Sequence, residues 1–204
     1  MMSAAKPIEL ISVEDYLAVE ESARNKHEYS GGRIYMMAGA SNRHDAVAST
    51  LLGALYSRLR GERCQPFNSD TKVRLRLGAE MRVYYPDAMV VCDPNPPAES
   101  FQDRPVVLAE VISPATRRID EGEKLEAYLT IASLRSYLLI ETASARVVAY
   151  ERTADGIFAP RVYEGLEAVV PLEGAGIELP LAELYERIDF SAIDPDREPE
   201  DNDD

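Results

Sequence analysis

The stretch Val106-Val107-Leu108-Ala109-Glu110-Val111-Ile112 has the composition of a β-strand that is buried on both faces. Every position in it is apolar except Glu110, and Pro114 marks the point where the strand must end. A lone carboxylate in such a strand costs several kcal/mol unless it is paired or bound to a cation. Glu110 is therefore both the best marker of the centre of the fold and the first candidate for a functional residue.

Helices and further strands are predicted on both sides of this strand. Ser12 is expected to cap a first amphipathic helix, and Ser41 or Asn42 a second one that runs to about Arg60. A third helix is predicted over 118–131 and a short one over 181–187. Strands are predicted at 27–29 and 33–37 (joined by a Ser30-Gly31-Gly32 turn), 72–77, 83–92, 137–141, 147–151 and 157–163. This order indicates an α/β or α+β fold, with helices packed on a mixed β-sheet.

The composition favours one globular domain followed by an acidic tail. The chain has 204 residues and a net charge of −14. Residues 189–204 contain eight acidic residues and one arginine, a net charge of −7, so the other 188 residues also carry −7. We expect a domain over 1–190 and a disordered tail over 191–204. An acidic body disfavours tight non-specific binding to nucleic acid, because phosphate binding normally needs a basic surface.

The sequence also indicates where in the cell we expect the protein to be. No run of about 18 apolar residues is present, and the first residues lack a basic segment followed by an apolar one, so neither a membrane span nor a secretory signal is expected. Cys64 and Cys92 are the two cysteines and do not form a Cys-x-x-Cys pair. We interpret them as reduced, buried cysteines of a cytoplasmic protein.

Asp87 and Lys124 are the two residues that would give Glu110 a function. Asp87 precedes the apolar run 88–91 on another strand, and carboxylates on neighbouring strands can converge on one Mg²⁺ ion. Lys124 lies on the helix that follows Glu110's strand, where it could stabilise the charge that develops on a phosphate.

Each of these residues also has a structural alternative. Asp87 could be a turn residue after Pro86, Glu110 could pair with a buried arginine, and Asp120 and Lys124 could form a solvated helix pair.

The ordered set of motifs resembles the Uma family of putative restriction endonucleases, within the PD-(D/E)xK superfamily. The resemblance covers about residues 10–190. It rests on these segments: Tyr85-Pro86-Asp87-Ala88-Met89-Val90-Val91, Leu108-Ala109-Glu110-Val111-Ile112-Ser113-Pro114, Asp120-Glu121-Gly122-Glu123-Lys124 with Tyr128, Glu28-Tyr29-Ser30-Gly31-Gly32-Arg33-Ile34, His44, and Leu179-Pro180-Leu181-Ala182-Glu183-Leu184-Tyr185.

The resemblance implies a restriction-endonuclease-like fold and a divalent-metal phosphodiesterase. Asp87 and Glu110 would be the metal ligands, and Lys124 the catalytic base or electrostatic stabiliser. The superfamily pattern has lysine two residues after the glutamate, where this chain has Ile112. Lys124, on the following helix, would replace it. Glu28 is placed near the site, where it could hold a metal-bound water, or be merely a polar residue beside a hairpin.

Three further residues are candidates for contacting the substrate. His44 lies at a helix N-terminus, where it could contact a phosphate or simply cap the helix. Lys72 and Arg74 share one face of a strand with Arg76 and could follow a nucleic-acid backbone, or form a solvated edge.

The leading hypothesis is thus a Mg²⁺-dependent endonuclease that cuts DNA, with Mn²⁺ as a substitute ion. The alternative is a catalytically silent member of the same fold that works as a binding module, which Ile112 and the acidic body favour. A homodimer is expected by analogy with restriction-type enzymes, which pair to cut both strands.

Overall fold

A computed structural model describes residues 10–37 and 39–192 of the chain. Its strands are β1 (His27–Ser30), β2 (Arg33–Met36), β3 (Gln65–Asn68), β4 (Lys72–Leu77), β5 (Glu80–Tyr84), β6 (Ala88–Val91), β7 (Phe101–Gln102), β8 (Pro105–Ile112), β9 (Ser136–Glu141), β10 (Arg146–Arg152), β11 (Phe158–Glu164), β12 (Val169–Leu172) and β13 (Ile177–Pro180). Its helical segments are α1 (Val13–Glu20), α2 (Asn42–Leu59), α3 (Arg117–Ile119), a π-helical turn (Asp120–Lys124), α4 (Leu125–Tyr128), α5 (Leu181–Leu184) and a 3-10 turn (Phe190–Ala192).

A six-stranded mixed sheet forms the centre of the fold, in the order β11-β10-β9-β8-β6-β3. Within it β8 runs parallel to β9 and antiparallel to β6, and the remaining pairs are antiparallel. The predicted central strand and the mixed sheet flanked by helices are confirmed. The parallel pair needs a long crossover, which the helical segment between β8 and β9 supplies.

A second sheet of five strands, in the order β2-β1-β5-β4-β7, packs against one face of the first. The single strand predicted over 83–92 is wrong. It is two strands, β5 and β6, which lie in different sheets. Pro86 lies between them, and because proline lacks an amide hydrogen it cannot continue a sheet ladder. The chain therefore leaves one sheet and enters the other at 85–87, which places Asp87 at this junction.

The residues of β8 alternate between two different cores. One core packs α2 and α5 against the six-stranded sheet, and β8 contributes Val107, Ala109 and Val111 to it. The other core fills the space between the two sheets, and β8 contributes Leu108 and Ile112 to it. Because successive side chains of a strand point to opposite faces, Glu110 faces this second core.

Helix α2 covers the first core along its whole length. Ser41 caps it, with its Oγ accepting a hydrogen bond from the amide of His44 at 3.2 Å. Its apolar stripe of Val47, Leu51, Leu55 and Leu59, which recurs every four residues, is buried. Gly61 has a positive φ of 82° just after the helix, a conformation that suits glycine and ends the helix there.

The helix predicted over 118–131 is shorter and irregular. It runs from 117 to 128 and contains the π-helical turn at Asp120–Lys124. A π turn inserts an extra residue into the helical ladder, and such turns occur often at functional sites. Asp120 and Lys124, at the two ends of the turn, are both buried.

The two cysteines form a disulfide, so the prediction of reduced cysteines is wrong. Strands β3 and β6 pair antiparallel with Gln65 opposite Val91. Continuing this register by one residue brings Cys64 opposite Cys92. Register between distant strands decides this contact, and the spacing of the cysteines along the chain does not reveal it.

The predicted acidic tail lies outside the described residues, apart from Ser191 and Ala192 in the final 3-10 turn. Within 10–37 and 39–192, no helix is long and apolar enough to cross a membrane.

Candidate active site

A buried lysine lies at the centre of the candidate site. The Nζ atom of Lys124 is 3.0 Å from Oε1 of Glu28, 3.2 Å from Oε1 of Glu110 and 3.4 Å from Oδ1 of Asp120. These side chains are shielded from water, the most exposed being Glu28 at 15%. One ammonium group is thus shared by three carboxylates in a place of low dielectric.

Different parts of the fold supply these side chains. Glu28 comes from β1, in the five-stranded sheet, and its Oε1 also accepts a hydrogen bond from the amide of Tyr85 at 3.2 Å. Glu110 comes from β8, in the six-stranded sheet, while Asp120 and Lys124 come from the π-helical turn. The site therefore forms only when the two sheets and the crossover helix pack together.

Asp87 and His44 form a second contact at the edge of this cluster. The Oδ2 atom of Asp87 accepts a hydrogen bond from the amide of Val111 at 2.7 Å and lies 3.3 Å from Nε2 of His44. The hydrogen bond to Asp87 is the largest influence on the pKa of His44, which is raised above its ordinary value. The hydroxyl of Ser41 caps α2, so His44 is not needed as a cap. Its imidazole faces Asp87 instead.

The carboxylates influence one another strongly. Burial raises the pKa of Glu110 well above its ordinary value, Lys124 opposes this effect, and the charges of Asp120, Asp87 and Glu28 add to it. Burial alone would lower the pKa of Lys124, but Glu110, Glu28 and Asp120 outweigh burial and raise it. Carboxyl groups thus outnumber the single lysine in the cluster, and burial favours the neutral form of Glu110.

Buried tyrosines form the wall of the site on the side of the core. The hydroxyl of Tyr128 donates to Oε1 of Glu110 at 2.9 Å, and that of Tyr137 donates to the backbone carbonyl of Asp120 at 3.1 Å. The rings of Tyr128 and Tyr137 pack edge to face, with centroids 5.1 Å apart. These rings exclude water, which strengthens every electrostatic interaction in the cluster.

The donor set suits a hard divalent cation in its chemistry. Among the described residues, no three His, Cys, Asp or Glu side chains are already arranged around one metal position. Mg²⁺ does not need such a cage, because it commonly binds one or two carboxylates and keeps waters or phosphate oxygens as its other ligands. Asp87 and Glu110 provide two carboxylates of this kind.

The structure brings five of the predicted residues into one neighbourhood: Glu28, His44, Asp87, Glu110 and Lys124. Asp120 was missed as a site residue, because its spacing from Lys124 also fits a solvated helix pair. That alternative is wrong, since both side chains are buried. Ile112, which replaces the pattern's lysine, is buried in the core between the sheets.

The basic face predicted on β4 is not formed as expected. Lys72 is buried, with its Nζ 5.3 Å from the centre of the Tyr85 ring, and burial lowers its pKa. Arg74 forms a two-point ion pair with Asp103, in which Nε donates to Oδ1 at 2.9 Å and Nη2 donates to Oδ2 at 3.0 Å. Both cations have partners within the fold, Lys72 beside the Tyr85 ring and Arg74 with Asp103 of the loop before β8. The alternation along the strand does not show these partners.

A family model, sequence relatives and a solved structure show what this chain is similar to. Residues 13–182 match the Uma2 family, described as "Putative restriction endonuclease". Two uncharacterized proteins of Synechocystis sp. are similar in sequence. One (slr1290) is 31% identical over 190 residues, covering 92% of this chain and 98% of the relative. The other (sll1609) is 30% identical over 157 residues, covering 76% of this chain and 88% of the relative. A solved structure described as a putative nuclease belonging to DUF820, from Anabaena variabilis, superposes with a TM-score of 0.69 at 18% identity, covering 86% of this chain and 98% of that one. This likeness shows a shared fold.

Proposed function

This chain belongs to the Uma2 family of putative restriction endonucleases, and from that premise we propose that it is a divalent-metal-dependent endonuclease that hydrolyses phosphodiester bonds in DNA. The observation that carries the proposal is the convergence of buried carboxylates from separate chain segments on Lys124. Such a concentration of like charge in a protein interior is costly. A function that needs a cation is the simplest reason to retain it.

Counting charges supports a divalent ion. Glu28, Asp87, Glu110 and Asp120 carry four negative charges when they are all ionised, and Lys124 carries one positive charge. His44, held by Asp87, adds a second positive charge when it is protonated. The fully ionised cluster would then carry two negative charges, which one Mg²⁺ or Mn²⁺ ion would neutralise.

The residues divide into two roles in this proposal. Asp87 and Glu110 would hold the ion, and Glu28 would hold a water beside it. When bound there, a divalent cation supplies positive charge that stabilises the negative charge developing on the phosphate.

Lys124 would act on the phosphate directly. An ammonium group has three N–H donors: Lys124 donates one to Oε1 of Glu110, and Oε1 of Glu28 and Oδ1 of Asp120 lie within ion-pair distance as further acceptors. A phosphate oxygen that replaces one of these acceptors would receive a charged hydrogen bond in a site with little water. Such a contact is worth most as charge builds up in the transition state.

A catalytically silent binding module is the second candidate function. The observation that favours it is the position of Lys124, whose ammonium already lies between carboxylates and balances part of their charge. The net charge of −14 agrees with it, because an acidic surface repels nucleic acid. In this alternative, the same cluster would be a structural ion-pair network.

A cleavage assay separates the two candidates. Plasmid DNA, single-stranded DNA and RNA would each be incubated with the full chain in Mg²⁺, in Mn²⁺ and in a chelator. We expect metal-dependent cutting of DNA by the unaltered chain and by the Glu178→Gln control, which removes an exposed carboxylate on β13. Asp87→Asn should abolish cutting. Absence of cleavage of all three substrates in both metals would reject the enzyme and leave the binding module.

A further inference from the structure

Tyr128 contacts the candidate metal ligand Glu110 but has no role in the chemistry described so far. Its side chain is fully buried on α4, four residues beyond Lys124. Its hydroxyl donates to Oε1 of Glu110 at 2.9 Å, and Lys124 donates to the same oxygen at 3.2 Å. Two donors from one helical segment therefore hold a single oxygen of this carboxylate.

The other oxygen of Glu110 is left open. Within residues 10–37 and 39–192, Oε2 accepts no hydrogen bond, and it is not among the fully enclosed polar atoms that lack a partner. Asp87 shows the same division, since the amide of Val111 and the imidazole of His44 both approach its Oδ2. In each carboxylate, protein donors engage one oxygen while the other oxygen is available.

We propose that Tyr128 is a positioning residue that, together with Lys124, holds Oε1 of Glu110 and thereby presents Oε2 to the divalent cation. This inference rests on the proposed function, because it assigns Tyr128 to the metal site of the nuclease. The phenol suits the task for two reasons. It donates a hydrogen bond without adding a charge that would repel the cation, and its ring is fixed by edge-to-face packing on Tyr84 and Tyr137.

Groups that orient metal ligands have a measurable effect on metal affinity. Removing such a partner commonly weakens metal binding by about 10- to 100-fold, because the ligand must then be ordered by the metal itself. Tyr128→Phe removes the hydroxyl and keeps the ring, so the core between the sheets stays filled. We expect this variant to bind Mn²⁺ about 10-fold or more weakly than the unaltered chain.

The test is a calorimetric titration of Mn²⁺ into the unaltered chain, Tyr128→Phe and Tyr185→Phe. Tyr185 is the matched control, because its buried hydroxyl lies 2.9 Å from two backbone carbonyl oxygens that share its one hydrogen, those of Glu141 and Arg146. Its ring belongs to the core on the other face of the sheet. Melting temperatures in a chelator would show that both variants fold. Cleavage by Tyr128→Phe should need more Mn²⁺ for half-maximal rate and recover at saturating Mn²⁺.

The outcomes are distinct. Weaker Mn²⁺ binding by Tyr128→Phe with unchanged binding by Tyr185→Phe supports the positioning role. Equal Mn²⁺ affinity in the unaltered chain and Tyr128→Phe overturns that role and leaves the metal site intact. Equal weakening in both variants also overturns it, since a general loss of stability would then be the cause. An unaltered chain that binds no Mn²⁺ overturns both the positioning role and the metal-dependent function.

Discussion

The two faces of β8 are made by alternate residues of one strand, and they differ sharply in chemistry. The face toward α2 presents Val107, Ala109 and Val111 to a core of apolar side chains. The face toward the five-stranded sheet presents Leu108 and Ile112 with Glu110 between them. Burial is nearly equal, since Ala109 is 1% exposed and Glu110 is 4% exposed. The same strand therefore lies at the base of an apolar core on one side and of a charged cluster on the other.

Under the proposed function, this difference marks the part of the chain where stability is lower and activity is expected to depend on the side chains. Apolar burial on the α2 face contributes roughly 25 cal/mol for each Å² removed from water. On the other face, several carboxylates are desolvated around one ammonium, which contributes little or nothing to folding. The comparison predicts that substitutions on one face change stability and those on the other change activity.

Glu110→Gln should have the largest effect, and it should be on activity alone. We expect DNA cleavage in Mg²⁺ to fall below detection, because the amide is a poor ligand for a hard cation. The melting temperature in a chelator should not fall, since Glu28 and Asp120 still surround Lys124 and one source of repulsion is gone. Cleavage assays and thermal melts of the variant, with Glu178→Gln as control, would measure both.

A drop of several degrees in the melting temperature of Glu110→Gln, with cleavage retained, would contradict the proposed difference between the two faces of β8. It would mean that Glu110 is part of a stabilising ion pair, since breaking a buried pair typically costs about 3–5 kcal/mol.

Leu51→Ala should have the opposite pattern. Leu51 is fully buried on α2, against the apolar face. Its truncation should lower the free energy of unfolding by about 2–5 kcal/mol, through lost burial and the cavity left behind. Chemical denaturation would measure this loss. Cleavage per folded molecule should be unchanged, and Val19→Ala, at an exposed position of α1, should change stability by less than about 0.5 kcal/mol.

Lys124→Met should lower turnover by about 10²-fold or more, as is typical when one electrostatic stabiliser is removed. Its affinity for Mn²⁺ should not fall, because removing a positive charge beside the ion offsets the loss of one hydrogen-bond donor to Oε1 of Glu110. Methionine keeps the apolar part of the side chain, so a loss of turnover would be due to the missing charge. Lys26→Met is the matched control, since Lys26 pairs with Asp70 at the surface. Rapid-quench rates at saturating Mn²⁺ would decide the point, and full activity would remove Lys124 from the mechanism.

Glu183→Gln should have the smallest effect. Arg58 on α2 and Glu183 on α5 form an ion pair outside the apolar face. Because both side chains are partly exposed, we expect a loss of stability no larger than about 1 kcal/mol at pH 7.

This small effect should depend on pH. The hydrogen bond from Arg58 lowers the pKa of Glu183 below its ordinary value of 4.5. The stabilisation is therefore fully present above that value and is lost as the pH falls through the lower, folded-state pKa. Denaturation of the unaltered chain and of Glu183→Gln in steps from pH 7 to well below pH 4.5 would test this, and a difference in stability that does not shrink as the pH falls would contradict it.

Sequence reasoning identified the parts of this comparison that depend on local pattern. The run 106–112 predicted the central strand, and the isolated Glu110 within it predicted a carboxylate that is paired or bound to a cation. The caps Ser12 and Ser41 predicted where two helices begin, since their hydroxyls act on amides three residues away. These features depend on contacts within a short stretch of chain.

The features that were missed depend on distant parts of the chain. The assignment of β5 and β6 to different sheets follows from how two whole sheets pack, and not from the residues 83–92 alone. Arg74 is neutralised by Asp103, 29 residues away. The burial of Asp120 depends on the π-helical turn and on how the crossover helix packs. The local sequence does not reveal this, because Asp120 and Lys124, at the two ends of the turn, are residue types that are common on helix surfaces.

Diffraction from a crystal of the chain grown with Mn²⁺ and a short DNA duplex would test whether Asp87 and Glu110 hold a divalent ion beside the substrate. The anomalous signal of manganese locates the ion without assumptions about its ligands. We expect one peak bound by an oxygen of Asp87 and an oxygen of Glu110, each at about 2.1 Å, with Lys124 directed at a phosphate. A peak elsewhere, or none at all with Lys124 still lying between Glu28 and Glu110, would contradict this assignment of the ligands.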